Sequence, residues 1–255
     1  MRRRGWIGLT IVGLLALVMV APFLYMVSTS LMDDAGAYAA ALSALPFPRL
    51  LLNSVLFAAC AAAGQVLTSA AAAYAFARLR FPGRDRVFLA FLSLLMMPAV
   101  VLLVPRFLMI DTLGWVDSYA GLISTELVSV WGIFFLRQSF LTLPHDLEDA
   151  ARLDGAGEWT IFWRVMLPLA KPALATLGLL AFVDQWKNFL WPLIATRSLE
   201  MQVVELGLAR FHGLYAANWP SQMAAAVVAT VPLFVAFLVA QRYVNRGVPL
   251  AASRS

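Results

Sequence analysis

The chain is poor in charge, histidine and cysteine: of 255 residues, 13% are charged, two are histidines and one is a cysteine. A soluble domain covers its surface with roughly 25% charged residues. With 62% hydrophobic residues and a mean hydropathy of +0.81, a water-soluble globule or soluble enzyme is excluded. The lone Cys60 lies in an alanine-rich apolar run and can form no disulfide within the chain, and with only His145 and His212 beside it a zinc cluster is not expected either. No Gly-x4-Gly-Lys-Ser/Thr run and no Gly-Lys dipeptide occurs, which excludes a Walker-type phosphate cradle. No cofactor is expected, and if the protein's work uses ATP, another chain must hydrolyse it.

What the chain has in abundance is long apolar runs. A helix needs about 20 apolar residues to cross a hydrocarbon core of about 30 Å, with its backbone polar groups satisfied internally. Six segments qualify: Ile7 to Ser30, Leu51 to Ala77, Val87 to Met109, Tyr119 to Leu136, Pro172 to Ala195 and Pro220 to Gln241. The first follows the basic start Met1-Arg2-Arg3-Arg4, but its run is too long for a signal core and Pro22 spoils the small-residue cleavage point after Ala21, so it reads as a retained span. With the N-terminus inside, the inner segments hold 14 of the 19 Lys and Arg, the outer ones hold Arg49, Arg106, Arg197 and Arg210, and Lys187 falls within a span. This asymmetry puts both termini in the cytoplasm and explains the pI of 9.8 by topology, not by nucleic-acid binding. With no linker, low-complexity tract or fixed-period repeat, residues 1–255 read as a single transmembrane domain: an all-α, polytopic bundle of six helices in the lipid bilayer.

The longest inner segment, Arg137 to Lys171, is rich in charge, and a loop of that length has a function of its own. Pro144 followed by Asp146, Glu148 and Asp149 is a helix start, because carboxylates complement the positive N-terminal dipole, and Gly155 is a helix stop. The spacing predicts a short helix from about Asp146 to Asp154, on which Leu147, Ala150, Ala151 and Asp154 form a face of small side chains able to enter a groove. Trp159, Phe162, Trp163 and Met166 form the apolar stripe of a second helix near the membrane interface, before Pro168 and Pro172 lead into the fifth span.

The pattern Asp149-Ala150-Ala151, Gly155, Val165 and Leu167-Pro168 resembles the EAA signature of permease subunits in bacterial ABC importers. Asp149 stands where that signature has Glu, and Val165 where it has Ile; Glu148 offers the longer carboxylate one position upstream, so the register of the acidic contact is open between the two. Further pieces resemble the carbohydrate-importer branch, in particular permeases like the smaller maltose-permease subunit: Ala73-Tyr74-Ala75-Phe76-Ala77-Arg78 with Phe81-Pro82-Gly83, Met97-Pro98 with Pro105, Leu136-Arg137-Gln138, Phe189-Leu190-Trp191-Pro192-Leu193, and Gln241-Arg242-Tyr243 with Arg246-Gly247. The resemblance implies a type I ABC importer permease fold in the bacterial inner membrane. It also implies a second permease subunit, cytoplasmic ABC ATPase subunits, an extracytoplasmic solute-binding protein and a sugar substrate. The ATPase contact then falls on Glu148, Asp149, Ala150, Ala151, Asp154, Gly155 and Ala156.

Charges at membrane depth cost at least about 2.5 to 3.5 kcal/mol each near a span centre and pair or line a wet cavity. Asp184 and Lys187, three apart on the fifth span, share a face and can interact directly. With Trp186, Asn188 and Trp191 they offer groups suited to sugar hydroxyls and a sugar's apolar face. A cavity lining and an internal ion pair are both open readings. Glu126 lies nearer the outer surface, within reach of water, and Gln65 and Thr68 can hydrogen-bond across helices. A secondary transporter with an intramembrane charge pair also accounts for these charges, but its signs are internal repeats and paired broken helices. An intramembrane Ser/His hydrolase needs a histidine at membrane depth, whereas His145 and His212 fall in loops.

Overall fold

The computed structural model describes residues 2–32, 34–214 and 218–244, and every regular element among them is helical. The sequence pieces Arg246-Gly247 and Arg254 lie outside the described residues. The chain divides into two compact units, Met1–Leu52 with Val203–Val231, and Asn53–Gln202 with Pro232–Ser255.

In the first unit, α1 (Arg2–Ser30) is evenly apolar, and the apolar stretch of Leu9–Ser30 lies unburied within the chain until Thr29 and Ser30 at its end. Ser30 ends it with a 2.9 Å hydrogen bond to Tyr38 on α2 (Asp34–Ser43). Phe47 and Leu50, at the start of α3 (Phe47–Arg78), are buried. Leu50 presses on Gly207 of α13 (Val204–Leu214), a contact that leaves no room for a Cβ. His212 bonds Gln222 at 2.9 Å on α14 (Trp219–Val244).

The second unit holds the breaks that hydropathy alone does not reveal. Among the described residues, three helices, α1, α3 and α14, are long and apolar enough to cross a membrane unbroken. The third apolar segment consists of α4 (Arg84–Ser93) and α5 (Leu103–Thr112), joined by 3-10 turns at Leu94–Met96 and Ala99–Leu102 and bent by 99°. Pro98 causes the bend: it has no N–H to donate and forces Met97 into an extended backbone. The fourth is two short helices, α6 (Tyr119–Ser124) and α7 (Val130–Leu141), each opened by a serine cap, Ser118 and Ser129. The fifth runs as α11 (Lys171–Trp186), breaks over 187–189 and resumes as α12 (Leu190–Ala195).

Irregular backbone at membrane depth must find its hydrogen bonds in the protein. Helix α3 supplies them to the broken fourth segment: Gln65 Nε2 donates to the Glu126 carbonyl at 2.9 Å, Thr68 Oγ1 to the Leu127 carbonyl at 2.8 Å and Ser69 Oγ to the Ser129 carbonyl at 3.4 Å. Positions 65, 68 and 69 share one helix face. Gly64 and Gly132 let the backbones approach, since a Cβ on either would collide with Leu127 or with Ser69.

Two polar residues tie the connections around 117 and 197–202 to the helices. Asp117 adopts a left-handed backbone, φ 61°, and its Oδ1 accepts from the Arg197 and Ser198 amides at 2.9 and 3.0 Å and from the Ser198 hydroxyl at 3.0 Å. Burial pushes the Asp117 carboxyl up, but these hydrogen bonds and the nearby Arg197 charge outweigh it and hold the group below its ordinary range. Asn53 donates to the Glu200 and Gln202 carbonyls and accepts from Tyr119.

Candidate functional site

The loop helix forms where the residues predict it, as α8 (Asp146–Leu153). Asp146, Glu148 and Asp149 occupy its first turn, and its end is a complete Schellman cap. The Gly155 amide bonds the Arg152 carbonyl at 3.0 Å and the Ala156 amide bonds the Ala151 carbonyl at 2.9 Å, with Gly155 at φ +80°. Leu147, Asp149, Ala150 and Asp154 are exposed, Ala151 and Ala156 half-buried, and Leu153 is 90% exposed.

Glu148 departs from the open register of the acidic contact. It is turned inward, 1% exposed, with its Oε1 3.0 Å from Arg78 Nε. Arg78 closes α3, and its fully buried guanidinium also donates to the Phe140 and Leu143 carbonyls at 2.6 Å and lies 2.8 Å from the His145 ring nitrogens. The outward carboxylate is therefore Asp149. Arg152 bridges the acids, reaching Asp149 at 3.1 Å, Glu148 at 3.4 Å and Glu158 at 3.1 Å, and Glu158 accepts from Tyr74 at 2.6 Å.

The second loop helix comprises α9 (Glu158–Ile161), a π turn over Phe162–Met166 and α10 (Leu167–Leu169), and it bends 77° into α11 at Ala170. Its stripe splits into two faces. Phe162 and Met166 enter a core with Ala70, Ala73, Tyr74, Leu136, Phe140 and Leu177, while Trp159 and Trp163 stay exposed. The extra residue of the π turn re-aims the helix surface, which a 3.6-residue repeat does not anticipate.

Asp184 and Lys187 lie on one face, as their spacing requires, but they form no ion pair with each other. Both are exposed to two neighbouring concavities. One, of about 450 Å³, is lined by Gln65, Ser129, Trp131 and Leu180 among others. The second, of about 470 Å³, adds Arg106, Glu126, Gln185, Asn188 and Phe189. Trp186 is not on that wall: it is 2% exposed and stacks on Phe182, because residue 186 points away from the face of 184 and 187. Trp191 is also buried, its indole N–H donating to the Leu122 carbonyl at 3.0 Å, so it offers no open stacking face.

Glu126 does not simply reach water. It sits in the break between α6 and α7, pairs with Arg106 and accepts from Gln185 Nε2 at 3.0 Å, while the Arg106 guanidinium lies 4.1 Å from the Trp191 ring centroid. Sequence reasoning missed this pairing. Its only local sign was one acid near the end of one apolar segment and one arginine near the end of another.

The broken apolar spans, the capped loop helix and the charged cavity together define a polytopic helical membrane protein of the kind that passes solutes. The model of the binding-protein-dependent transport system inner membrane component family matches residues 65–249, and the chain belongs to that family. The arabinooligosaccharides transport system permease protein AraQ of Halalkalibacterium halodurans is 38% identical over 195 residues, 76% of this chain and 70% of the relative. The sn-glycerol-3-phosphate transport system permease protein UgpE of Yersinia pestis is 36% identical over 204 residues, 79% of this chain and 73% of the relative. In structure the chain is similar to one subunit of a bacterial ABC transporter involved in import of the acidic polysaccharide alginate. The TM-score is 0.82 at 25% identity, covering 95% of this chain and 96% of that one.

Proposed function

We propose that the chain, as one permease domain, forms half of the translocation path of an ATP-driven importer for a sugar or sugar-like solute. A second permease subunit supplies the other half, separate cytoplasmic ABC ATPase subunits hydrolyse the ATP, and an extracytoplasmic solute-binding protein delivers the solute. The observation that carries this reading is the capped helix α8, which presents Asp149, Ala150, Asp154 and Gly155 outward while Glu148 anchors it inward. The absence of any phosphate cradle in the sequence supports a separate ATPase. Relatives named for arabinooligosaccharides and glycerol phosphate support a sugar-like solute.

The broken third, fourth and fifth spans also fit a secondary transporter, in which such breaks build the binding site. Purification from native membranes separates the two readings. An ATPase and a second permease are expected to accompany the chain; uptake by the purified chain alone, driven by an ion gradient, overturns the proposal.

The charge asymmetry supports a cytoplasmic position for both termini and α8. In a Cys60→Ala background, Leu153→Cys is expected to react with an impermeant maleimide only after permeabilisation, because Leu153 is almost fully exposed on α8. Labelling of intact spheroplasts sinks this topology.

Asp184, Lys187 and Asn188 face the cavities and are proposed to line the path; Trp186 is proposed to brace them from behind. A hydrogen bond to a charged group is worth about 1.5–3 kcal/mol. Asp184→Asn and Lys187→Met are therefore each expected to lower uptake about tenfold or more in a fully assembled complex. Unchanged uptake and solute preference in both variants exclude the role.

A further inference from the structure

We infer that Arg78 is a positioning residue that ties the loop helix α8 to the cavity wall through the rigid length of α3. This inference rests on the proposed coupling role of α8. A helix pushed from outside moves only those elements to which it is firmly held. Helix α8 is flanked by short irregular segments, and its exposed Arg152 reaches the rest of the chain only through the half-exposed Glu158, which accepts from Tyr74 of α3. Its inward hold is Glu148 on Arg78, supported by the half-buried Ala151 and Ala156 against the core. Arg78 is suited to the task because its planar fork reaches several acceptors at once. It holds Glu148, the two carbonyls at the C-terminal end of α7 and the His145 ring just before α8. The Arg78 Nε and Glu148 Oε1 lie 3.0 Å apart but out of line for a hydrogen bond, so that contact is one of charge, and the hydrogen bonds run to Phe140 at the end of α7, to Leu143 just beyond it and to His145.

From Arg78 the helix runs unbroken to the outer half of the unit. Between about 14 and 20 Å along it, at 1.5 Å per residue, the same helix presents Ser69, Thr68 and Gln65. These three side chains hold the broken fourth segment by its carbonyls, and Gln65 itself lines the cavity beside Asp184 and Lys187. One continuous helix thus has the loop helix fastened to its inner end and the broken stretch of cavity wall fastened to its middle by three side chains. Displacement of α8 then shifts residues 126–129, where Glu126 meets Arg106 and Gln185.

The test reads the cavity while the ATPase changes state and needs no knowledge of the solute. The assembled transporter carries Cys60→Ala with Leu180→Cys, a cavity-lining reporter, and is labelled with a maleimide before and after trapping the ATPase with ATP and vanadate. Trapping is expected to change the labelling rate about fivefold. With Arg78→Gln added, the ATPase is expected to co-purify and trap as before, while the change in labelling falls to less than about twofold. Arg78→Lys, which keeps the charge but not the fork, is expected to fall between the two. A merely structural role lowers yield and melting temperature and leaves the trapping response intact, which overturns the inference. If Arg78→Gln does not assemble, Glu148→Gln carries the same test, since it leaves Arg78 on the Phe140 and Leu143 carbonyls and removes its charge contact with α8. Absence of any trapping response in the Arg78 protein overturns the coupling reading itself, and a response that survives both substitutions overturns only the role of Arg78.

Discussion

Gly155→Val is expected to abolish most coupled uptake while leaving the chain inserted in the membrane. Gly155, two residues past the end of α8, has φ +80°, and a Cβ built there meets nothing within 4 Å. The cost is therefore conformational, not a collision. Holding a non-glycine residue in such a backbone costs about 1–3 kcal/mol, with a β-branched side chain toward the upper end. That strain competes with the two cap bonds, from Gly155 to Arg152 and from Ala156 to Ala151, so the helix end unwinds and the following helix is misdirected. Gly157 provides the control. It is equally open, but its φ is −74°, which any residue adopts, so Gly157→Val should behave as the parent. Ala150→Trp adds bulk on the exposed face without touching the core, and should impair ATPase association with little loss of stability. The measurements are ATPase co-purification and uptake in reconstituted vesicles. Normal values for both in Gly155→Val and Ala150→Trp would refute the coupling role.

Removing one partner of the Arg106–Glu126 pair is expected to destabilise the chain by about 3 kcal/mol. Both side chains are largely buried, 23% and 13% exposed, and loss of one leaves the other as an uncompensated charge. Glu126 has further obligations: its carboxylate accepts from Gln185, and its carbonyl from Gln65. Arg106 keeps only the Thr125 hydroxyl and the face of Trp191 when the acid is gone. Glu126→Ala and Arg106→Met should each lower the melting temperature in detergent sharply. The double variant Arg106→Met with Glu126→Leu should recover part of the loss, because apolar replacement of a whole pair costs less than orphaning one member. Additive losses in the double variant would show that the two residues act independently.

Much of this molecule was legible from local sequence. Long apolar runs specify membrane helices because no other solvent tolerates them, and the Lys and Arg asymmetry is the sequence signal behind the proposed orientation. Helix α8 was legible because its start, its acidic first turn and its glycine stop are short-range signals, decided by the residues that carry them. Hydrogen-bonding of Gln65 and Thr68 across helices was legible as a capacity, though not their partners.

The breaks were only half written in the sequence. Pro98 marks one of them, but the interruption at 125–129 has no proline and persists because α3 satisfies its carbonyls. Only the tertiary structure decided the pairing of Arg78 with Glu148 and of Arg106 with Glu126, the inward turn of Trp186, and the separation of Asp184 from Lys187. Hydropathy and capping act over a helical turn or two and are complete before the helices meet. A buried charge or ring, by contrast, takes whichever partner the packing of distant segments brings within a few ångströms, and that choice is made in the assembled fold.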